Sequence, residues 1–182
     1  MNAIVSVTRD WGIGLKGRLL VRNREDMRHF VRMTSCGVVL MGRATFESLP
    51  GGPLKGRRNV ILTHDATYER TGFPRAGRPQ EGTPGARVGG YEVYNTTDDA
   101  LAALSSEDPD RVWLIGGASV YRRLLPLCSR AVVTMNDVLL PADAYFPRLD
   151  EDPRWRLERT DEGGVTDDGV PFEYRSYVRL TS

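Results

Sequence analysis

Apolar residues gather along this chain in short runs of strand length, and the stretches between several of them repeat their apolar positions at helical spacing. The runs Ala3–Val7, Val38–Met41, Val60–Thr63, Tyr91–Tyr94, Val112–Ile115 and Ala131–Met135 predict strands. Most are continuously apolar, as expected of a parallel sheet covered on both faces. Helical patterns fall at Arg24–Thr34, Ala44–Leu49, Asp98–Ser105 and Val120–Leu127. Strands alternating with helices predict an α/β fold around a mostly parallel sheet. The last two runs, Trp155–Thr160 and Phe172–Leu180, alternate in polarity around a Gly/Asp-rich connector and predict an antiparallel hairpin at the sheet's edge. Thr96 or Thr97, ahead of Asp98 and Asp99, predicts a helix cap. The segment 64–90 is rich in Gly, Pro, Arg and Glu without periodicity, which predicts a long surface loop within a single domain spanning 1–182.

Composition narrows the function classes. The 182 residues are 40% hydrophobic and 27% charged, enough for one globular core. Basic and acidic side chains number 25 and 24, a balance that argues against a dedicated nucleic-acid surface. Cys36 and Cys128 lie in or beside apolar segments, lack CxxC spacing and have no histidine cluster, so buried reduced thiols are expected and a metal site is not. No signal peptide or membrane-length apolar run is present in the sequence, and a cytoplasmic monomer is the expectation.

The densest chemistry lies in Val38–Thr63. A predicted strand ends at Gly42-Arg43-Ala44-Thr45, where a glycine, a guanidinium and a hydroxyl stand at the start of a helix. Such a turn suits a phosphate, through free N–H groups, the helix dipole and Arg43; a tight turn with a solvated arginine reads equally well from this segment alone. A second strand–glycine–helix turn, Ile115-Gly116-Gly117-Ala118-Ser119, lets a ligand approach the backbone closely. It is not a complete G-x-G-x-x-G, and two such turns in one α/β chain weigh more than either.

On a helical wheel of Arg24–Thr34, Met27, Phe30, Val31, Met33 and Thr34 share a face, with Arg28 and Arg32 opposite. Asp26 falls within the apolar stripe. A carboxylate so placed finds donors or binds its proton more tightly, and it suits an amidine- or guanidine-like group; the alternative is an open first turn where Asp26 complements the dipole. His29 is expected at the surface, and His64, after a strand end, is a candidate for touching phosphate. No Ser/His/Asp or Cys/His arrangement supports covalent hydrolysis.

Taken in order, MGRATFES at 41–48, PLKGRRNVIL at 53–62, IGGASVY at 115–121 and Thr134 thirteen residues before the proline of ADAYFP at 142–147 resemble the dihydrofolate reductase family. IVSVTRDWGIG at 4–14 fits that family's first strand and active-site loop, so the resemblance covers nearly the whole chain. It implies a central eight-stranded, mostly parallel sheet with an antiparallel C-terminal edge strand and about four flanking helices. It further implies NADPH across the carboxyl edge of the sheet and reduction of dihydrofolate by hydride transfer to pterin C6, with N5 protonated from water.

By the same resemblance, Asp26 binds the pterin 2-amino group and N3, Thr134 supports it, and Arg57 pairs with the glutamate α-carboxylate. Ile4, Val5, Ser6, Met27, Phe30, Leu49, Leu54, Ile115 and Tyr121 are implied around the substrate. Ile13, Gly14, Leu19, Gly42, Arg43, Ala44, Thr45, Leu62, Thr63, His64, Gly116, Gly117, Ala118, Ser119, Val120 and again Tyr121 are implied around the cofactor. Thr63 and His64 match positions near the adenosine 2′-phosphate, and the Gly116–Gly117 peptide is implied to be cis.

There are departures. Leu20-Val21 stand where the family usually has Pro-Trp, Ser6 replaces a usual Ala, Ala118 replaces a third glycine, and 64–90 is long. A related pyrimidine or pteridine reductase of the same fold, and a non-catalytic folate- or nucleotide-binding homologue, remain as alternatives. Asp26 and Arg57 speak against the former, and only Leu20-Val21 speak for the latter.

Overall fold

The structure, a computed structural model, describes residues 1–73 and 90–180. It begins with β1 (Asn2–Thr8), β2 (Gly12–Leu15), β3 (Arg18–Leu19) and α1 (Arg24–Thr34). Next come β4 (Val38–Gly42), α2 (Arg43–Ser48), β5 (Arg58–Leu62), β6 (Tyr91–Tyr94) and α3 (Thr97–Leu104). The order closes with β7 (Val112–Gly116), α4 (Ala118–Leu124), β8 (Arg130–Asn136), β9 (Ala144–Tyr145), β10 (Trp155–Val165) and β11 (Pro171–Arg179).

Eight strands form the main sheet in the order β10-β11-β8-β1-β7-β4-β5-β6. The six from β8 to β6 in that order pair in parallel; β11 runs antiparallel to β8, and β10 returns outermost. Period-two alternation sorts side chains between two layers. Val5, Leu40 and Leu114 pack with Ala100 and Leu104 of α3 and Tyr121 and Leu124 of α4. Ile4, Val39 and Met41 pack on the other face with Phe46 of α2, joined by Phe30 and Met33 of α1. With β4 beside β7, Met41 pairs with Gly116, so the two glycine turns of the sequence meet at the carboxyl edge of the sheet.

Boundaries moved where proline or caps intervene. α2 stops at Ser48, because Pro50 pushes Leu49 to an extended conformation (ψ 112°). The helix expected to reach Leu127 ends at Leu124 and tightens into a 3₁₀ turn over Leu125–Leu127, where Pro126 has no N–H to give. Thr96, not Thr97, caps α3, its hydroxyl accepting from the Asp99 N–H at 3.1 Å. A small sheet, β3-β2-β9, was not anticipated; it is turned by Lys16 and Gly17 at φ 51° and 75° and held to Asp143 through the Lys16 N–H at 2.8 Å.

Two expectations need correction. Cys36 is exposed, because it occupies the tight turn between α1 and β4 at φ 56°; Cys128 is buried as expected. His29 is half-buried, because Tyr174 of β11 lies tilted against its ring, the centroids 4.3 Å apart. Of the expected 64–90 loop, residues 64–73 run as turns anchored by Arg70, whose guanidinium donates to the Phe46 and Leu49 carbonyls. Residues 74–89 lie outside the described residues.

Candidate active site

Asp26 enters the site because of how α1 begins. Asn23 caps the helix, its side-chain oxygen accepting from the Asp26 N–H at 3.0 Å, which fixes the first turn against the sheet. The Asp26 side chain then meets β8, where the buried Thr134 hydroxyl donates to Oδ1. Ser6 on β1 is the register partner of Thr134, and Tyr174 on β11 is its partner on the other side. Three neighbouring strands thus present a row of hydroxyl-bearing residues at the carboxylate. Burial pushes the Asp26 carboxyl above its ordinary 3.8, and the hydroxyls of Thr134 and, more weakly, Ser6 pull back by donating to the anion. The result is an acid that holds its proton more tightly than usual yet has donors ready for the charged form.

The wall beside it is apolar and only partly covered. Ile4, Phe30, Leu49, Leu54 and Ile115 belong to one packed cluster, so the structure joins these predicted substrate contacts. Met27 and Val31 stay exposed, at 52% and 44%, leaving part of the α1 apolar face open. Val5 and Tyr121 belong to the opposite layer. The fully buried Tyr121 hydroxyl donates across to the Ile4 carbonyl at 2.7 Å, so these two shape the pocket from behind. Arg57 lies over the Phe30 ring at 5.8 Å and donates to Thr34 Oγ1 at 3.1 Å and to the Lys55 carbonyl at 3.1 Å. Burial draws its pKa below the ordinary arginine value. Among the described residues no carboxylate pairs with it, so its charge remains to be met.

The second feature is a cleft of about 730 Å³ along the carboxyl ends of β4, β5, β6 and β7. Its lining includes most of the predicted cofactor residues: Gly42, Arg43, Ala44, Thr45, Leu62, Thr63, His64, Gly117, Ala118, Ser119 and Val120. A Cβ on Gly42 would meet Val120 at 3.0 Å and one on Gly117 would meet Thr45 Oγ1 at 3.1 Å, so the floor has room for backbone only. The Gly116–Gly117 peptide is cis. α2 and α4 are six and seven residues long and lack side-chain caps. Helices so short add little beyond their first-turn N–H groups, so anion binding here rests chiefly on side-chain donors. Arg43 is also engaged, 3.6 Å from both Glu47 and Asp65 and 5.6 Å over the Tyr68 ring.

Other predicted cofactor residues sit elsewhere. Ile13 and Leu19 line a small separate cavity with Ser6 and Leu20, and Gly14 pairs with Leu19 inside the small sheet. Sequence reasoning missed Asp65, Asn95, Thr97, Arg122 and Arg123, which complete the large cleft. Arg122 and Arg123 follow the glycine turn within one helix, a signal the motif's end at Tyr121 concealed.

A family model described as dihydrofolate reductase matches residues 1–179. The dihydrofolate reductase of Mycobacterium tuberculosis H37Rv is 34% identical over 172 residues, covering 92% of this chain and 90% of that one. That of Neisseria gonorrhoeae is 30% identical over 154 residues, covering 85% and 82%. The solved structure of dihydrofolate reductase from Enterococcus faecalis, complexed with NADP(H) and RAB-propyl, superposes with a TM-score of 0.80 at 25% identity, covering 99% of this chain and 96% of that one.

Proposed function

The chain belongs to the dihydrofolate reductase family, and on that premise we propose that Asp26 and Thr134 bind and polarise the pterin while the cleft at the sheet's carboxyl edge holds the cofactor. The protein is an NADPH-dependent oxidoreductase that reduces 7,8-dihydrofolate to 5,6,7,8-tetrahydrofolate. The observation that carries the assignment of residues is the half-buried Asp26 carboxylate, donated to by Thr134 at Oδ1, an anion suited to the pair of N–H groups that a 2-aminopterin presents.

The cleft fits a dinucleotide: backbone-only floor at Gly42 and Gly117, hydroxyls at Thr45, Thr63 and Ser119, and cations at Arg43, Arg122 and Arg123. NADPH, when bound there, supplies the hydride. The chain's residues do the rest. Ile4, Phe30, Leu49, Leu54 and Ile115 exclude water from the pterin and benzoyl faces, Arg57 meets the glutamate α-carboxylate, and ionised Asp26 favours the pterin protonated at N5, with water as the proton source. Antifolate-type molecules presenting the same donor pair fit the same pocket. The working unit is a cytoplasmic monomer of one domain without a nucleic-acid partner.

Purified protein mixed with NADPH and dihydrofolate should lose NADPH absorbance only when dihydrofolate is present; tight binding of both without turnover would sink this reading. Asp26→Asn should lower kcat at neutral pH by roughly a hundredfold or more. NADPH affinity should hardly change, and full retained activity would remove Asp26 from the mechanism.

A further inference from the structure

The reaction itself orients a dinucleotide in the large cleft. Its hydride-donating end must reach a pterin held at Asp26, on the β8 and β1 side of the sheet, so its adenosine end points away from β1. In the sheet order β8-β1-β7-β4-β5-β6, the far end of the cleft lies at the carboxyl ends of β5 and β6. That is up to three strands beyond β7, a span of about 14 Å. Thr63 follows β5 there, and Asn95 and Thr97 follow β6. The Asn95 side-chain nitrogen donates to the Thr63 carbonyl at 2.9 Å and ties the two strand ends together. From α4, Arg123 reaches the same end and donates through Nη1 to Thr97 Oγ1 at 3.4 Å. All four residues line the cleft, with Arg122 beside Arg123.

The cations of the cleft are not equally free to meet a phosphate. Arg43, directly after β4, is 3.6 Å from both Glu47 and Asp65, and Asp65 is the one acid lining the cleft among the described residues. Arg123 makes no ion pair among the described residues, and its side chain bonds there only to a neutral hydroxyl. Resting on the cofactor placement given above, we propose that Arg123, held by Thr97, selects the phosphorylated dinucleotide by meeting its adenosine 2′-phosphate, while Arg43 adds attraction without selectivity. The guanidinium uses one N–H on Thr97 and keeps the others for a fork against phosphate oxygens. Thr97 Oγ1 accepts that bond, so its own proton is free to donate to the phosphate. Thr63 Oγ1 likewise accepts from the Asp65 N–H at 3.2 Å and keeps its proton. NADH carries a neutral 2′-hydroxyl at the same place and gains little from a free cation.

The test is equilibrium titration of the whole protein with NADPH and, separately, with NADH. Arg123→Ala should raise the dissociation constant for NADPH roughly tenfold, the loss of one charge-assisted contact, and move that for NADH by less than about twofold. Arg123→Lys keeps the charge without the fork and should recover part of the NADPH loss. Arg43→Ala should weaken both cofactors by the same factor. Added salt should weaken NADPH binding more steeply in wild type than in Arg123→Ala. An Arg123→Ala variant that loses NADPH and NADH equally, or an Arg43→Ala variant that discriminates more strongly than it, overturns the proposal. Wild-type protein that binds neither cofactor would instead overturn the placement of a dinucleotide in the cleft, a failure visible before any variant is made.

Discussion

Arg57 and Arg58 are adjacent in the chain and serve opposite regions of the molecule. Arg58 lies at the corner of β5, β6 and α3, where its guanidinium grips Glu92 through two nitrogens at 2.8 and 2.9 Å and reaches Glu107 at 2.9 Å. Tyr94 donates to the same Glu92 at 2.8 Å, so the acid is saturated as well. Arg57 lies against Phe30 beside the apolar wall, and its hydrogen-bond partners among the described residues are the neutral Thr34 Oγ1 and Lys55 carbonyl. The hydrogen bonds of Glu92 hold the Arg58 proton more tightly than in water, whereas burial loosens that of Arg57. A half-buried cation already met by carboxylates is scaffold. One with neutral partners alone is poised for an anion that arrives with a ligand.

Removing Arg58 is the most damaging way to break the comparison. Arg58→Ala leaves Glu92, whose side chain is 5% exposed, without its counter-charge, and should cost about 3–5 kcal/mol in denaturant unfolding. Arg58→Lys should recover little of this, since an ammonium cannot reproduce the two-pronged grip. Stability within about 0.5 kcal/mol of wild type would show that the cluster is ornamental.

Arg57→Ala should act next most strongly and on a different quantity. Losing a charge-assisted pair with the substrate's α-carboxylate should raise KM for dihydrofolate roughly tenfold to a hundredfold, with kcat nearly unchanged. A pterin substrate without the glutamate tail should be reduced equally by variant and wild type. Equal damage to both substrates would mean that Arg57 holds α1 in place through Thr34.

The neighbouring roles of these arginines also mark how far the sequence could be read. PLKGRRNVIL placed Arg57 at the substrate by resemblance, but nothing local distinguishes it from Arg58, whose partners lie 34 and 49 residues away. Continuously apolar strands and the two glycine turns were legible because their signals are local. The β3-β2-β9 sheet was not, since two-residue strands bury too little to leave a pattern and β9 pairs across more than a hundred residues. His29 was misplaced for a related reason: a helical wheel knows the axis of α1 but not that β11 lies against its polar side. Asp26 was legible as a misfit, and its partner Thr134 only through resemblance, because a threonine in a strand carries no sign of what it will face.

Asp26 extends the contrast from cations to an acid and ties function to stability. Its folded-state pKa is raised above the unfolded value near 3.8, so the folded protein favours the neutral form. The stability this confers is fully present below 3.8 and is lost as pH rises through the folded-state pKa. Asp26→Asn is neutral at every pH and escapes that loss. The ligand-free variant should therefore melt roughly a few degrees above wild type at neutral pH. The gap should close as pH falls toward 3.8. A variant that melts lower at pH 7 would mean that the Thr134 hydrogen bond outweighs the desolvation.

The smallest effect concerns the cation of the cofactor cleft that falls between the two types. Arg43 is exposed at 47% and shared by Glu47 and Asp65, each 3.6 Å away. Pairs this exposed contribute little to folding, but Asp65 lines the cleft itself, where a carboxylate both occupies Arg43 and repels phosphate. The Asp65 oxygen also accepts from the Thr67 N–H and hydroxyl at 2.9 and 2.8 Å, bonds that an asparagine oxygen can keep. Asp65→Asn should therefore preserve the turn and free Arg43. NADPH affinity should rise roughly twofold to fivefold at low ionic strength, and the gain should fade as salt screens the cleft. Affinity for NADH, which lacks the 2′-phosphate, should rise less. Weaker NADPH binding in the variant would mean that Asp65 holds Arg43 in its binding position, and Arg43 would then join Arg58 as scaffold.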